Sequence, residues 1–479
     1  MLLLCSRILL AALLIGCTAA LNGAAGIAHA QPDDAAHSDD PAQPGDVSGT
    51  IPANLPGLDL PGLQRWIEEL VPPPNLPPAP DTPLVDGADL PPELASLRAA
   101  VMPSAIGDGF VDDWPEDLAD FAPGQLITWR DITQTASGVL FVPVRQVVQL
   151  KYRTTDSHGL PSYAVSTLVV PTGVWAGEGQ RPVVVNNLPI NSLGRDCNPG
   201  HTLAHGFSRK TNLADYIPPT TQLALLRGYA VLIPDHEGPR MAYAEPFVAG
   251  HAVLDGIRSV RESVPDEFGA SRFGLIGYSG GAIATNGAVR LMSDYAPELI
   301  DVVAGAAMGG VPADYEILAR SMNANLASGV FMAATFAIGR ERPEILERMN
   351  SLAQWAAVSV MKDTCMDTFA LFGLLLLPID IAANILDPLQ SELARDIYSA
   401  TRMEGRKSPV PLYIYHGEQE FWVPPEGAKN LYAEQCALGA NAVYRSVLGE
   451  HIIAAFTGYP EALIWLDARL RGEAAISEC

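Results

Sequence analysis

The chain has 479 residues, more than one compact core usually absorbs, and 48 % of them are apolar, so we expect a large core with additions, or two domains. The formal net charge of −24 argues against nucleic acid as a partner, because binding to a phosphate backbone needs a positive field. Much of this charge comes early, since residues 31–120 hold 18 Asp and Glu residues against Arg65 and Arg98.

The first thirty residues have the pattern of an export signal. Arg7 precedes the apolar run 8–15, and Ala28-His29-Ala30 has the small-x-small form of a cleavage site. A competing interpretation is a lipid anchor, because residues 14–17 have the form of a bacterial lipoprotein box ending at Cys17. We prefer cleavage after Ala30, and both interpretations predict a secreted or cell-envelope protein.

Residues 31–104 are acidic and rich in proline. Such a segment buries too little apolar surface to offset the entropy lost on ordering, so the pattern predicts a mostly disordered linker. Short amphipathic pieces such as residues 63–70 are the parts that could order locally.

From residue 105 the pattern is typical of an α/β protein. Two β-rich runs at 147–154 and 163–170 are followed by short apolar strands that alternate with helices, which predicts a mostly parallel sheet covered on both faces. The buried-strand candidates are 182–187, 229–233, 273–277, 302–306 and 412–415. The helical patterns between them are 220–227, 250–263, 280–292 and 425–436.

Residues 313–406 interrupt this alternation with three helical patterns, at 319–338, 343–361 and 369–385. Because the stretch lies between two predicted strands, we interpret it as an inserted helical cap, or lid. The core then consists of residues 105–312 and 407–479. The apolar run 369–377 in the cap is too short to span a bilayer.

A candidate nucleophile lies where a predicted strand meets a predicted helix. Gly277-Tyr278-Ser279-Gly280-Gly281 follows the strand at 273–276 and opens the helix at 280–292. A serine on such a tight turn is forced out over the end of the sheet, and the crowded backbone requires small neighbours. The motif in this context predicts that Ser279 is a nucleophile.

A serine hydroxyl needs a base, and the base needs a carboxylate to orient it. In this type of fold the acid and the histidine follow the serine in that order. We assign the base to His451, which follows the strand pattern at 442–447, and interpret His416 as a structural residue. The acid is assigned to Glu420, which lies in the loop after residue 415.

The tetrahedral oxyanion needs two N–H donors that are already in place. One is the backbone N–H of Gly280, the residue after the nucleophile. We assign the second to the backbone of Asp235, in the loop that follows the strand at 229–233.

Four cysteines lie beyond the export signal: Cys197, Cys365, Cys436 and Cys479. In an oxidising compartment they suggest two disulfides with three possible pairings. No pair has the spacing of a zinc site, so metal binding is the poorer interpretation.

These features together resemble the secretory lipase family, within the α/β-hydrolase superfamily, from about Asp113 to the C-terminus. Besides the serine motif, the resemblance is carried by ordered motifs at 152–155, 196–199, 235–238, 254–258, 295–299, 434–436 and 450–451. One departure is Glu420, because the family usually has aspartate there.

The resemblance implies an α/β-hydrolase core with a helical lid and cleavage of acylglycerols or other carboxylic esters without a cofactor. It places the nucleophile at Ser279, the base at His451 and the oxyanion donors at Asp235 and Gly280. It also implies the disulfides Cys197–Cys365 and Cys436–Cys479. Transient contact with a lipid interface is a further expectation, and the oligomeric state stays open.

Two other functions compete with ester hydrolysis. A secreted peptidase or acyltransferase would use the same three residues, but a peptidase needs a charged subsite for a peptide terminus, and the sequence offers no obvious one. A non-catalytic envelope protein could keep the fold as a binding scaffold. The intact serine, histidine and oxyanion candidates count against it.

Overall fold

The computed structural model describes residues 59–79 and 90–479, so the predicted export signal and Cys17 lie outside the described residues. Within the described part of the chain, nine strands form one sheet in the order β1-β2-β3-β5-β4-β6-β7-β8-β9. The strands are β1 (Leu126–Asp131), β2 (Val144–Thr155), β3 (Pro161–Pro171), β4 (Val183–Asn187), β5 (Ala230–Pro234), β6 (Phe273–Tyr278), β7 (Val303–Gly309), β8 (Leu412–Gly417) and β9 (Ala442–Val447). The pairs β1–β2, β2–β3 and β3–β5 are antiparallel. All the pairs from β5–β4 to β8–β9 are parallel. The sheet is that of an α/β hydrolase, as predicted.

Helices cover both faces of the sheet. The first nine are α1 (Leu60–Leu70), α2 (Pro92–Val101), α3 (Gly109–Asp112), α4 (Thr133–Ala136), α5 (Pro199–His205), α6 (Thr220–Leu226), α7 (Pro246–Ser263), α8 (Pro265–Phe268) and α9 (Gly280–Tyr295). The others are α10 (Tyr315–Met322), α11 (Ser328–Glu341), α12 (Glu344–Glu347), α13 (Ser351–Val358), α14 (Met366–Leu371), α15 (Glu392–Arg402), α16 (Pro425–Ala437), α17 (His451–Thr457) and α18 (Tyr459–Leu470). None of the helices in the described ranges is long and apolar enough to cross a membrane.

The parallel strands are continuous apolar runs in the sequence because both of their faces are buried. In β4, Val183 and Val185 pack in a core cluster with α7 and α9, while Val184 packs in a second cluster with α18. Successive side chains of a strand point to opposite faces, so one short run supplies both clusters.

The region between β7 and β8 contains helices α10 to α15, which we propose to treat as the cap. The predicted helix at 319–338 is broken here, since α10 ends at Met322 and α11 begins at Ser328. The side chain of Asn323 accepts the Ile379 N–H and that of Asn325 accepts the Ala327 N–H. Such side-chain bonds to the backbone compete with the helical pattern.

Residues 369–385 also differ from the predicted long helix. Helix α14 ends at Leu371, and short 3-10 turns follow at Phe372–Leu375 and Ile379–Ala382. Leu376 ends the first of these turns in the left-handed conformation, and Pro378, which cannot donate a helical hydrogen bond, prevents a helix from continuing to residue 385.

The predicted linker contains ordered structure in both of its described parts. Helix α1 lies in residues 59–79 and α2 in residues 90–104. Leu97 and Val101 of α2 join an apolar cluster that includes residues of α11 and α12. Helix α1 contains the amphipathic piece 63–70 that could order locally, whereas α2 was not predicted. The few apolar side chains of both helices are buried against the cap.

Two disulfides join the pairs that the family resemblance implies. Cys197, in the loop after β4, is bonded to Cys365, which directly precedes α14. Cys436 of α16 is bonded to Cys479. The first bond links the sheet to the cap.

Candidate active site

Ser279 occupies the turn between β6 and α9. Its backbone has φ 52° and ψ −119°, outside the regions that a residue with a side chain readily adopts. The Ser279 N–H donates to the Gly309 carbonyl oxygen at 2.9 Å. A strained backbone such as that of Ser279 persists only where the surrounding structure keeps it in place. Residues of this kind cluster at functional sites.

Close backbone approach explains the glycines that flank this serine. A Cβ atom on Gly281 would lie 1.9 Å from the Asn187 carbonyl oxygen, and one on Gly277 would lie 2.2 Å from the Gly281 carbonyl oxygen. No side chain fits at either position, so α9 can pack directly against the end of β4.

Three side chains form a continuous chain of hydrogen bonds at the carboxyl edge of the sheet. His451 Nε2 lies 2.9 Å from Ser279 Oγ, and His451 Nδ1 lies 2.6 Å from Glu420 Oε2. With the proton of the neutral imidazole on Nδ1, Nε2 is free to accept the serine proton. The parallel strands end at the same edge, because Gly277 of β6 pairs with Met308 of β7 and Gly417 of β8 pairs with Val447 of β9. The three side chains, which follow β6, β8 and β9, are therefore close together.

The Glu420 carboxylate is fixed on both oxygens. Oε1 accepts the N–H groups of Trp422 at 2.9 Å and Val423 at 3.2 Å, while Oε2 faces His451. Burial acts to raise the pKa of this carboxyl, but the hydrogen bond and charge of His451, with those two N–H groups, outweigh it and hold the pKa below its ordinary value. The group is therefore an ionised partner for the imidazole near neutral pH.

The backbone of His451 is positioned by its neighbours. It begins α17, whose N-cap is Glu450. The hydroxyl of Tyr278 donates to the His451 carbonyl oxygen at 2.5 Å, and the Gly449 N–H donates to Gln419 Oε1 at 2.6 Å. The loops that carry the serine, the acid and the histidine are thus bonded to one another.

His416 makes no hydrogen bond with these three side chains, and its contacts fit a structural residue. It is fully buried in β8, and its Nε2 lies 2.7 Å from the Val423 carbonyl oxygen. Burial lowers the pKa of its imidazole.

The assignment of an oxyanion donor to Asp235 is wrong. Its backbone N–H donates to the Val165 carbonyl oxygen at 2.9 Å, because the residue after β5 continues the antiparallel pairing with β3. The Asp235 side chain accepts the Gly200 N–H at 3.0 Å, and burial raises the pKa of this carboxyl to about 7. Asp235 supports the fold behind the site.

Asn191, which the sequence analysis missed, lies where a second donor is needed. It has φ 46°, and its Oδ1 would be 1.7 Å from a Cβ atom on Gly280. Among the described residues, nothing donates a hydrogen bond to this buried Oδ1. Gly280 opens α9, so its own N–H has no partner within the helix. The feature of the sequence that could have pointed to Asn191 is its position, because it is a polar residue shortly after β4, a strand that ends at this edge of the sheet.

A buried glutamate holds the loop that carries Asn191. The Glu237 carboxyl accepts the Ser192 N–H at 3.3 Å. Burial raises the pKa of Glu237 well above its usual range, although the N–H groups of Ser192 and Asn191 act in the opposite direction. The backbone of the loop is thus bonded beneath the site, which leaves the side chain of Asn191 facing Gly280.

An apolar cavity of about 260 Å³ reaches the Ser279 and His451 side chains. Most of its lining comes from the cap, including Met322, Phe331, Phe336, Ile379 and Ile397. Such a cavity fits a hydrocarbon chain whose carbonyl end meets the serine.

A metal site is not formed by the described residues. Their one grouping of three potential ligands is Asp196 with Cys197 and Cys365, and both sulfur atoms belong to a disulfide.

Comparison with known proteins gives a consistent result. The model of the secretory lipase family matches residues 217–478. Lipase 10 of Candida albicans is 29 % identical over 405 residues, which cover 80 % of this chain and 85 % of that protein. A probable inactive lipase of Mycobacterium tuberculosis is 27 % identical over 367 residues, which cover 75 % of this chain and 81 % of that protein.

The fold has a close counterpart among solved structures. The crystal structure of Candida antarctica lipase A in its closed state superposes with a TM-score of 0.69 at 24 % identity, covering 79 % of this chain and 89 % of that chain.

Proposed function

Because this chain belongs to the secretory lipase family, we propose that it is an exported carboxylic-ester hydrolase that cleaves acylglycerols through Ser279, His451 and Glu420. The observation that carries the proposal is the unbroken contact from Ser279 Oγ through His451 to Glu420, beside an apolar cavity.

In the first half of the proposed reaction, Ser279 Oγ attacks the ester carbonyl carbon while His451 Nε2 takes the hydroxyl proton. The tetrahedral intermediate then collapses, and the bond between the carbonyl carbon and the alcohol oxygen breaks. His451 gives the proton to the departing alcohol. In the second half, His451 takes a proton from water, the resulting hydroxide cleaves the acyl-enzyme, and Ser279 recovers its proton as the carboxylic acid leaves.

The negative charge of the intermediate needs two donors. We assign them to the Gly280 N–H and the side-chain amide of Asn191. In the structure, Asn191 Nδ2 lies 3.5 Å from Met366 Sδ, and Oδ1 lies beside Gly280. Rotation of the amide by half a turn exchanges these atoms and places N–H groups beside the Gly280 N–H.

Contact with a lipid interface is supported by a turn on the cap surface. Leu371, Leu374, Leu375 and Leu376 are 65, 63, 60 and 46 % exposed. A run of large apolar side chains kept in water is typical of a surface that meets an apolar partner. We propose that this leucine turn, residues 371–376, inserts at the surface of a lipid aggregate.

Export is supported by the family and by the two disulfides, which persist in oxidising compartments. The proposed signal is residues 1–30 with cleavage after Ala30, and a lipid anchor at Cys17 is the alternative.

The similarity to a probable inactive lipase makes activity the first property to test. The exported chain should hydrolyse p-nitrophenyl esters and an emulsified triacylglycerol, and Ser279→Ala should lower kcat by about 10⁶-fold, as loss of such a serine does. Ser137→Ala, an exposed serine elsewhere, is the control and should keep full turnover. A wild-type protein that is inert on every ester, or a Ser279→Ala protein that turns over normally, would overturn the proposal.

A further inference from the structure

Helix α1 lies in the Pro-rich segment before the core, outside the residues that match the family. Asp59 caps its start by accepting the Gly62 N–H at 3.0 Å, and Pro72 follows its end. Leu60 and Ile67 are 8 and 2 % exposed, so one face of the helix is buried. That face packs against the turn Ile379–Ala382 and against α13 of the cap.

Gln64 binds the backbone of the cap through one amide group. Although polar, it is only 6 % exposed. Its Nε2 donates to the carbonyl oxygens of Asp380 at 2.8 Å, Ile385 at 2.9 Å and Ala383 at 3.4 Å. Because the segment is irregular, its carbonyls have few backbone partners. The Asp380 oxygen also accepts the Ala383 N–H at 3.2 Å and the Ala383 oxygen accepts Asn350 Nδ2 at 3.3 Å, whereas the Ile385 oxygen accepts from Gln64.

Two further contacts hold α1 and the chain after it to α13. Glu68 Oε1 accepts the Ser351 N–H at 3.2 Å, where a carboxylate at a helix N-terminus is favourable. Trp355 Nε1 donates to the Pro72 carbonyl oxygen at 2.8 Å. The residues from Leu60 to Pro72 are therefore attached to the cap at several points.

The segment that Gln64 binds is a wall of the apolar cavity. Ile379, Ala382, Ala383 and Ile385 all line it. Asn350 supports the same segment by donating to the Ile381 carbonyl oxygen at 2.7 Å. Gln64 and Asn350 together fix the backbone of this wall, and Gln64 comes from outside the family core.

We propose that residues 60–72 form a strap that fixes one wall of the cavity, and that Gln64 is a positioning residue for the length of acyl chain that the enzyme accepts. The inference rests on the proposed ester hydrolysis. Without Gln64, the Ile385 carbonyl loses its donor and the Asp380 and Ala383 carbonyls each keep only one, which favours an open, hydrated segment. Long acyl chains contact this wall, whereas short ones are held near Ser279.

The test compares Gln64→Ala with wild type on p-nitrophenyl butyrate and p-nitrophenyl palmitate. Since each hydrogen bond contributes modestly, kcat/KM for palmitate should fall by roughly tenfold and that for butyrate by less than about twofold. Gln64→Met, which keeps the length of the side chain and removes the donor, should show the same selective loss on palmitate. Arg65→Ala, exposed on the same helix, is the matched control and should leave both rates unchanged.

A binding measurement separates this inference from the proposed function. In a Ser279→Ala background, cis-parinaric acid should bind more weakly when Gln64→Ala is added. Equal losses on both esters together with a lowered melting temperature would make Gln64 merely structural and overturn the strap. An unchanged palmitate-to-butyrate ratio in an active enzyme would overturn it too. A wild-type protein without esterase activity would instead remove the proposed function.

Discussion

The Nδ1 atom of His451 lies 2.6 Å from the Oε2 atom of Glu420, although the two residues follow different strands, β9 and β8. An acid in this position holds the imidazole in the tautomer that can accept the serine proton and stabilises the imidazolium that forms. A glutamate reaches the histidine here because the loop after β8 is bonded back through Trp422 and Val423.

We predict that Glu420→Gln lowers kcat by about 10⁴-fold with little change in stability, because the amide can hold the wrong tautomer. Glu420→Asp keeps the charge but is one methylene shorter, so its loss should be smaller. Glu418→Gln is the control, since Glu418 contacts Ser446 Oγ at 3.0 Å and not the histidine. Steady-state rates on p-nitrophenyl butyrate would measure all three, and a normal rate for Glu420→Gln would assign the role to another carboxylate.

The sequence predicted the sheet and the three contacting residues because both depend on local patterns. Apolar runs mark the parallel strands, and residues that follow them meet at one edge. Strand β1 was missed because it is an edge strand with half-exposed residues and no alternation. The helix at 319–338 was predicted too long for two reasons. Asn323 binds the Ile379 N–H, which only the tertiary structure brings near, and Asn325 forms a local turn with the Ala327 N–H that competes with the helix.

The oxyanion assignment failed for a different reason. Whether a backbone N–H is free depends on strand pairing, and the pairing of β5 with β3 takes up the Asp235 N–H. The role of Asn191 depends on its positive φ and on the approach of Gly280, and no local motif encodes either.

Asn191→Gly should lower kcat by about 10²-fold to 10³-fold while KM changes little, as loss of one oxyanion donor does. Glycine is the informative replacement because it tolerates φ 46° without strain, so the side chain is removed and the backbone is kept. Asn441→Gly, directly before β9, is a control for added flexibility, since its side chain bonds the Ala475 carbonyl oxygen and not the loop that carries Asn191. Equal kcat in the Asn191→Gly and wild-type enzymes would place the second donor elsewhere.

The buried carboxyl of Asp235 should make stability depend on pH. Its folded-state pKa of about 7 is raised by burial above the ordinary value of 3.8. Between those two pH values the native state binds a proton that the unfolded state has released, so the free energy of unfolding falls as pH rises. Asp235→Asn removes this dependence while its amide oxygen can still accept the Gly200 N–H.

We therefore predict that Asp235→Asn gains stability relative to wild type on going from pH 4.5 to pH 8, by at most about 3 kcal/mol. Urea unfolding at the two pH values measures the difference. A constant difference would show that Asp235 titrates normally in the folded protein.

The leucine turn should matter only at an interface. Leu374→Ser with Leu375→Ser removes exposed apolar surface, so adsorption to triolein droplets and the rate on them should fall about 30-fold, since each buried side chain contributes on the order of 1 kcal/mol. Hydrolysis of dissolved p-nitrophenyl butyrate should be unchanged. The same double change at Leu226 and Val174, exposed on the sheet side, is the control. Parallel losses on both substrates would contradict a docking role.

The two disulfides should differ in their effects because they connect different parts of the fold. Cys197–Cys365 closes a loop with a sequence separation of 168, and Cys436–Cys479 one of 43. Loop-closure entropy then predicts that replacing each pair by serine costs about 5 and about 4 kcal/mol. The first pair also holds the start of α14, where Met366 contacts Asn191. Its loss should lower kcat as well as stability, whereas loss of the second pair should lower stability alone. Urea unfolding and ester rates on the two double variants test this. Equal kcat values for the two variants would show that the Cys197–Cys365 bond does not position the loop that carries Asn191.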